Sequence, residues 1–292
     1  MVFFVFKDAK KELENIRKEK MIKVKVVSCV EQLKTYVACT EEKEDENLWE
    51  KLVVEPFWKE LCCYSPIDLS DRKPKYIKRD ANLKKQIAEL EKLDLIILEK
   101  ELNRIAGLLP NYDDDPIMVA IFPIDNINIV VNEKQNGVVG TSLFGNIMLQ
   151  INPLVEGYEN WINYVFAHEY HHTVWGNYWF NMHGDELKHD LLQALIIDGE
   201  ADSFAMSVCK ELRPQWLYLD KDEQIGKLYE NKYEQHIFDT EFDYPSMMFG
   251  NEEKGICWCG GYAVGYRLVQ KYIEKKDKSF TELIEVHPEK TL

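Results

Sequence analysis

No stretch of this 292-residue chain stays apolar for long. The run at residues 2–6 gives way at once to charges. It is too short for the apolar region of a secretory signal and far too short for a membrane span, and no later run reaches that length either. Met21 is as good a start as Met1, which would make the first residues an upstream extension. Positive charge is in the minority, with 36 Lys and Arg against 51 Asp and Glu and a net charge of -15. Such a surface repels phosphate backbones and anionic lipid, so neither nucleic acid nor a membrane is expected as a partner. The seven cysteines (29, 39, 62, 63, 209, 257 and 259) are odd in number and lack a framework spacing. Cys257-x-Cys259 falls one residue short of the CxxC of zinc and redox sites. Free thiols in a reducing cytoplasm are the expectation. Internal repeats and low-complexity segments are also missing. What is present is ordinary for a soluble globular protein, with 46% apolar residues and enough chain for a sizeable core.

Residues 22–27 alternate apolar and charged side chains and predict a strand. Helical spacing runs over 48–61, where Pro56 predicts a kink or break, and again over 83–108 as one long helix. Residues 71–78 read as a connector carrying Pro74. The character changes near 110. Asp113, Asp114 and Asp115 sit between prolines and suit a solvated turn better than a calcium site. Strands are predicted at 117–122, 127–131 and 146–152, with Gly137, Gly140 and Gly145 in a loop or bent hairpin. From Tyr158 onward the pattern is mostly helical.

His168-Glu169-Tyr170-His171-His172 is an H-E-x-x-H sequence. Residues four apart on a helix lie one turn apart on the same face, so His168 and His172 can converge on one ion. Glu169 projects at the adjacent angle, where it can take a proton from an activated water without being a ligand. Trp161 and Val165 continue the histidine face as an apolar stripe, which aims the pair at the interior. His171 reads as a supporting or surface histidine. Two histidines leave zinc short of a third protein ligand. The helix predicted over 187–212 offers Asp198, Glu200 and Asp202 in an apolar run, where ionised groups are costly unless paired or bound to metal.

Read together, HEYHH and the downstream LLQALIIDGEADSFA resemble the YjaZ-like predicted zinc-protease family of bacteria, among the gluzincin-type metallopeptidases. The resemblance covers about residues 45–285 and is strongest from 165 to 205. That family pairs HExxH with an E-G-x-A-E/D helix whose first carboxylate is the third ligand. By that match Asp198 takes the ligand position and Asp202 supports a ligating histidine. Glu200, where an apolar residue is usual, is the alternative third ligand. Asp198 and Glu200 point about 200° apart on a helix, so only one can face the metal. The small residues on the Asp198 face and Asp202 one turn on favour Asp198. The segment from Trp258 to Tyr266 is similar to the G-Y-x-x-G opening of the family's C-terminal helix. Tyr262 or Tyr266 there can donate to an oxyanion or simply pack. Residues 145–152 precede the metal helix, where zincins place an edge strand able to pair with an extended peptide, although a plain core strand fits as well. His183 and His189 read as loop residues.

The expected architecture is α+β: an N-terminal, mainly helical region at 1–110, then a zincin-like catalytic domain at 111–292 with a small sheet, an active-site helix and a helical C-terminal part. The expected activity is that of a cytoplasmic, bacterial zinc metallopeptidase acting on peptides or proteins. Zn2+ would be held by His168, His172 and Asp198, with Glu169 as general base and Tyr262 assisting. The alternative is an inert zincin-fold protein that binds a partner.

Overall fold

Alternation turns Val24 and Val26 inward and Lys25 outward, and this segment forms the edge strand β1 (Val24–Ser28). The computed structural model describes residues 24–39, 45–113 and 115–292. The apolar run 2–6, Met21, residues 22 and 23 of the expected strand, and Asp114 lie outside the described residues. β1 pairs in parallel with β2 (Ile117–Pro123), and β2 in parallel with β4 (Asn146–Ile151). β4 pairs antiparallel with β3 (Val138–Leu143), closing the expected hairpin. The order is β1-β2-β4-β3. β2 is buried along its whole length, as an interior strand covered on both faces should be.

Six helices of nine or more residues stand out among the described residues: α1 (Val30–Ala38), α2 (Ala81–Leu90), α3 (Leu95–Ala106), α4 (Tyr158–Gly176), α5 (Leu191–Val208) and α6 (Gly260–Lys276). The protein is therefore α+β, with a small mixed sheet and a helical C-terminal half. Three local expectations are corrected. The single helix over 83–108 is two helices, because the Asp94 carboxylate accepts from the amides of Ile96 and Ile97 and starts α3 afresh. The strand over 127–131 is instead a short helix, Ile129–Lys134, capped by the Asn128 side chain. At Pro56 the helical run is not broken. It passes through a π-helical stretch, Glu50–Val54, and the proline sits in the first turn of Glu55–Leu61, where its missing N–H costs little.

One hydrophobic core surrounds the sheet, α1 and α4, with Val119, Phe122, Ile147 and Phe166 fully buried. A second lies between α5, α6 and the segments joining them, around Leu195, Val264 and Val269. α4 lies across β3 and β4 and packs along α5, which packs in turn along α6. The α5–α6 contact depends on glycine. A Cβ on Gly199 would stand 2.3 Å from the Gly265 carbonyl, and one on Gly265 would stand 2.0 Å from the Leu195 carbonyl oxygen. Backbone touches backbone there, which fixes how α5 presents its carboxylates. No helix among the described residues is long and apolar enough to cross a membrane.

Candidate metal centre

Trp161 and Val165 bury the face of α4 that ends in His168 and His172. One helical turn apart, the two Nε2 atoms stand 3.0 Å from each other. α5 brings Asp198 opposite them, with its Oδ1 3.5 Å from His168 Nε2 and 3.4 Å from His172 Nε2. A tetrahedral zinc with nitrogen and oxygen ligands at about 2.0–2.1 Å holds its donors about 3.3 Å apart. The observed triangle brackets that value, so these residues fit the ion. Among the described residues they form a group whose donor atoms all lie within 4.8 Å of one another. All three also line the main cleft.

Asp202 stands one turn beyond Asp198 and is wholly buried. Its Oδ1 lies 3.1 Å from His168 Nδ1 and accepts from the Tyr164 hydroxyl at 2.8 Å, while the Trp216 indole N–H reaches both oxygens at 3.3 Å. A buried carboxylate with three donors is satisfied without a counter-ion. It holds the His168 proton on Nδ1, which leaves Nε2 free to ligate. Tyr164 lies one turn before His168, so its place on that face could be read from spacing. Trp216 arrives from a separate 3-10 turn, Gln215–Leu217, and no sequence signal points to it.

Glu169 turns toward the sheet. Its Oε2 accepts from the Ser142 amide at 2.7 Å, tying it to β3. A Cβ on Gly140 of β3 would come within 2.3 Å of Glu169 Cγ and 2.7 Å of Oε1, so only glycine leaves room for this carboxylate. Neither Gly140 nor Ser142 was marked by the sequence as part of the site.

The remaining sequence candidates separate by position. Glu200 faces the opposite side of α5 from Asp198, with its carboxylate 3.6 Å from His171 Nε2 and both oxygens without a hydrogen bond. His171 is 1% exposed, which excludes a surface histidine. Tyr262, in the first turn of α6, lies nearly parallel to the His168 ring at 6.2 Å and lines the cleft. Tyr266, one turn on, is not among the lining residues. His189 reaches the cleft rim but pairs with Asp185, and His183 packs on Tyr178 and Trp179. Of the two readings of residues 145–152, a peptide-binding edge and a plain core strand, the structure has the second, because β4 lies between β2 and β3. Among the described residues β3 is the edge, because it pairs there only with β4, and it lines the cleft.

The cleft has a volume of about 1050 Å³ and is bounded by β3 on one side and by aromatic side chains after α5 on the other. A family described as predicted Zn-dependent proteases (DUF2268) matches residues 95–292, more than half of the chain and every residue of the metal triangle. The chain belongs to this family. No curated protein and no solved structure matches it. The family's description implies dependence on zinc, which agrees with the donor set of the triangle.

Zinc competes with protons for these side chains. Burial on its own would raise the Asp198 carboxyl, but the hydrogen bonds and charge of His168 and His172 bring it down to about 2. Burial works against charge on His168 too, yet the Asp202 carboxylate and the bond to Asp198 hold its pKa well above 6.5. The other histidine–carboxylate pair behaves oppositely. Burial pushes Glu200 well above its usual range. Burial, reinforced by repulsion from His172 and His168, pushes His171 well below its own. Burial thus favours the neutral form of both Glu200 and His171.

Proposed function

We propose that this protein is a zinc-dependent metallopeptidase with a zincin-like core, in which β3 is the substrate-facing edge strand and α4 the active-site helix. The observation that carries this reading is the triangle of His168, His172 and Asp198 opening on the same cleft as Glu169. Zinc held by these three would act as a Lewis acid toward a water and a substrate carbonyl. The residues of the chain do the rest. Glu169, held by the Ser142 amide beside the metal triangle, takes the proton of the attacking water and returns it to the leaving amine. Tyr262, stacked along His168 and lining the cleft, donates its hydroxyl to the oxyanion. Asp202 fixes the tautomer and angle of His168 through Nδ1.

The outer edge of β3 supplies the peptide's track. The Ser142 amide turns away from β4 and is taken by Glu169, and alternation along an antiparallel strand sends the backbone groups of Gly140 the same way, where they are open to a peptide. An extended peptide laid beside them adds a strand to the sheet. The proposed metal and proton-transfer residues all lie in 111–292, which we assign as the catalytic part, and the described residues before 111 add β1 to its sheet and α1, α2 and α3 around it. The free thiols fit the reducing cytoplasm of a bacterium.

Glu169→Gln tests the mechanism. The variant should keep its zinc and its fold while turnover of a peptide library falls by about two orders of magnitude or more. Loss of zinc from Glu169→Gln would make Glu169 a ligand, and turnover like the wild type would remove it from the chemistry.

A further inference from the structure

From His168 a line of aromatic rings runs outward along one wall of the cleft. Tyr262 stacks on His168, Phe249 lies 5.9 Å from Tyr262, Tyr244 lies 6.0 Å from Phe249, and Phe242 lies 6.1 Å from Tyr244. All four line the cleft. Tyr244 and Phe249 are 43% and 48% exposed, which is wasteful for rings of that size unless something covers them.

The segment that carries them is held rigidly. Asp243 caps the short helix Tyr244–Phe249 by accepting from the amide and hydroxyl of Ser246, and it pairs with Lys254 at 2.7 Å. Tyr233 donates to the Met247 carbonyl at 2.7 Å. Met247 and Met248 are buried against Gly261 of α6, where a Cβ would come within 2.6 Å of the Met247 carbonyl oxygen. The exposed rings are therefore presented on a held backbone, which lowers the cost of ordering that wall on binding.

We propose that this wall selects the substrate: it takes the side chain flanking the scissile bond, and it favours peptides with an aromatic residue there. This rests on the cleft binding peptide, as argued above. A chain paired with β3 sends alternate side chains to the two faces of the sheet, and those on the cleft side share the cleft with Tyr262, Phe249 and Tyr244. Stacked or edge-on contact with Phe249 and Tyr244 would bury the faces now open to water. Beside Arg72 the cleft carries the carboxylates of Asp71, Glu169 and Asp190, an excess of negative charge that disfavours acidic side chains.

The test uses the zinc-loaded full chain and a set of matched peptides that differ at one position, Phe, Leu, Ala or Asp. Labelled versions are bound to Glu169→Gln and followed by fluorescence anisotropy, and unlabelled versions are digested by the wild type with mass-spectrometric mapping of the cut. The Phe peptide should bind about ten-fold or more tightly than the Ala peptide, with cleavage beside Phe. In Phe249→Ala and Tyr244→Ala that ratio should fall toward one, with Phe249→Leu between. Zinc content of each variant reports that the fold is kept. Equal binding of Phe and Ala peptides, or a preference that survives both alanine variants, overturns the proposal. Selective binding without any cleavage upholds the wall and removes the peptidase reading. Cleavage without side-chain preference does the reverse, and failure of every peptide to bind overturns both.

Discussion

Asp198 and Glu200 lie two residues apart on α5 and are both nearly inaccessible to water, yet they live in opposite electrostatic worlds. Asp198 meets two imidazoles and is held ionised. Glu200 meets one imidazole at 3.6 Å, has no hydrogen-bond donor on either oxygen, and is pushed toward its neutral form by burial. A helix turns about 100° per residue, so two positions suffice to move a carboxylate from the cleft wall to the buried contact with His171 of α4. Burial alone therefore does not make a metal ligand. What distinguishes Asp198 is the set of donors it faces and the cleft it opens on.

The comparison sharpens first at Asp202. Asp202→Ala should weaken zinc binding about 10- to 100-fold, because it frees the His168 ring and strands the Tyr164 hydroxyl and Trp216 N–H. Glu200→Gln keeps the shape of a neutral acid and should leave zinc affinity close to that of the wild type. A competition titration with a fluorescent chelator reads both. Equal losses would erase the distinction between the two faces of α5.

A smaller effect separates the metal-free from the zinc-bound protein by pH. The folded value of Asp198 is depressed, so its contribution to stability is present above its ordinary 3.8 and is lost as pH falls through about 2. The folded value of His168 is raised, so its contribution is full below 6.5 and is lost as pH rises through the higher folded value. Zinc requires the deprotonated ring and releases that proton. Between about pH 6.5 and 8, the melting temperature of the metal-free protein should therefore fall while zinc affinity rises. Thermal melts after chelation, set beside zinc titrations at the same pH values, check the two slopes. A metal-free melting temperature that rises across that window would contradict the pairing of His168 with Asp198 and Asp202.

Much of this arrangement is legible in the chain because it is local. The i,i+4 spacing sets His168 against His172, and the turn of a helix sets Asp198 and Asp202 on one face and Glu200 on another. The strands at 117–122 and 146–152 follow from their apolar runs. Non-local placement is where sequence reading stops. Whether β4 or β3 is the edge depends on parallel pairing with β2, which leaves no local signal. Residues 127–131 carry the β-branched composition of a strand, yet the Asn128 cap turns the chain into a helix. Trp216, Gly140 and the aromatic wall reach the cleft only through tertiary packing. His171 lies in a motif full of polar groups, and its burial against Glu200 appears only once α4 and α5 are set side by side.

One zinc ion held by His168, His172 and Asp198 is the feature of this proposal on which all else depends. The most direct measurement is metal content by elemental analysis, with native mass spectrometry, on the wild type, Asp198→Ala and Glu200→Ala. One zinc per chain in the wild type and in Glu200→Ala, with none retained by Asp198→Ala, is the result expected. Zinc retained by Asp198→Ala and lost from Glu200→Ala would contradict the account.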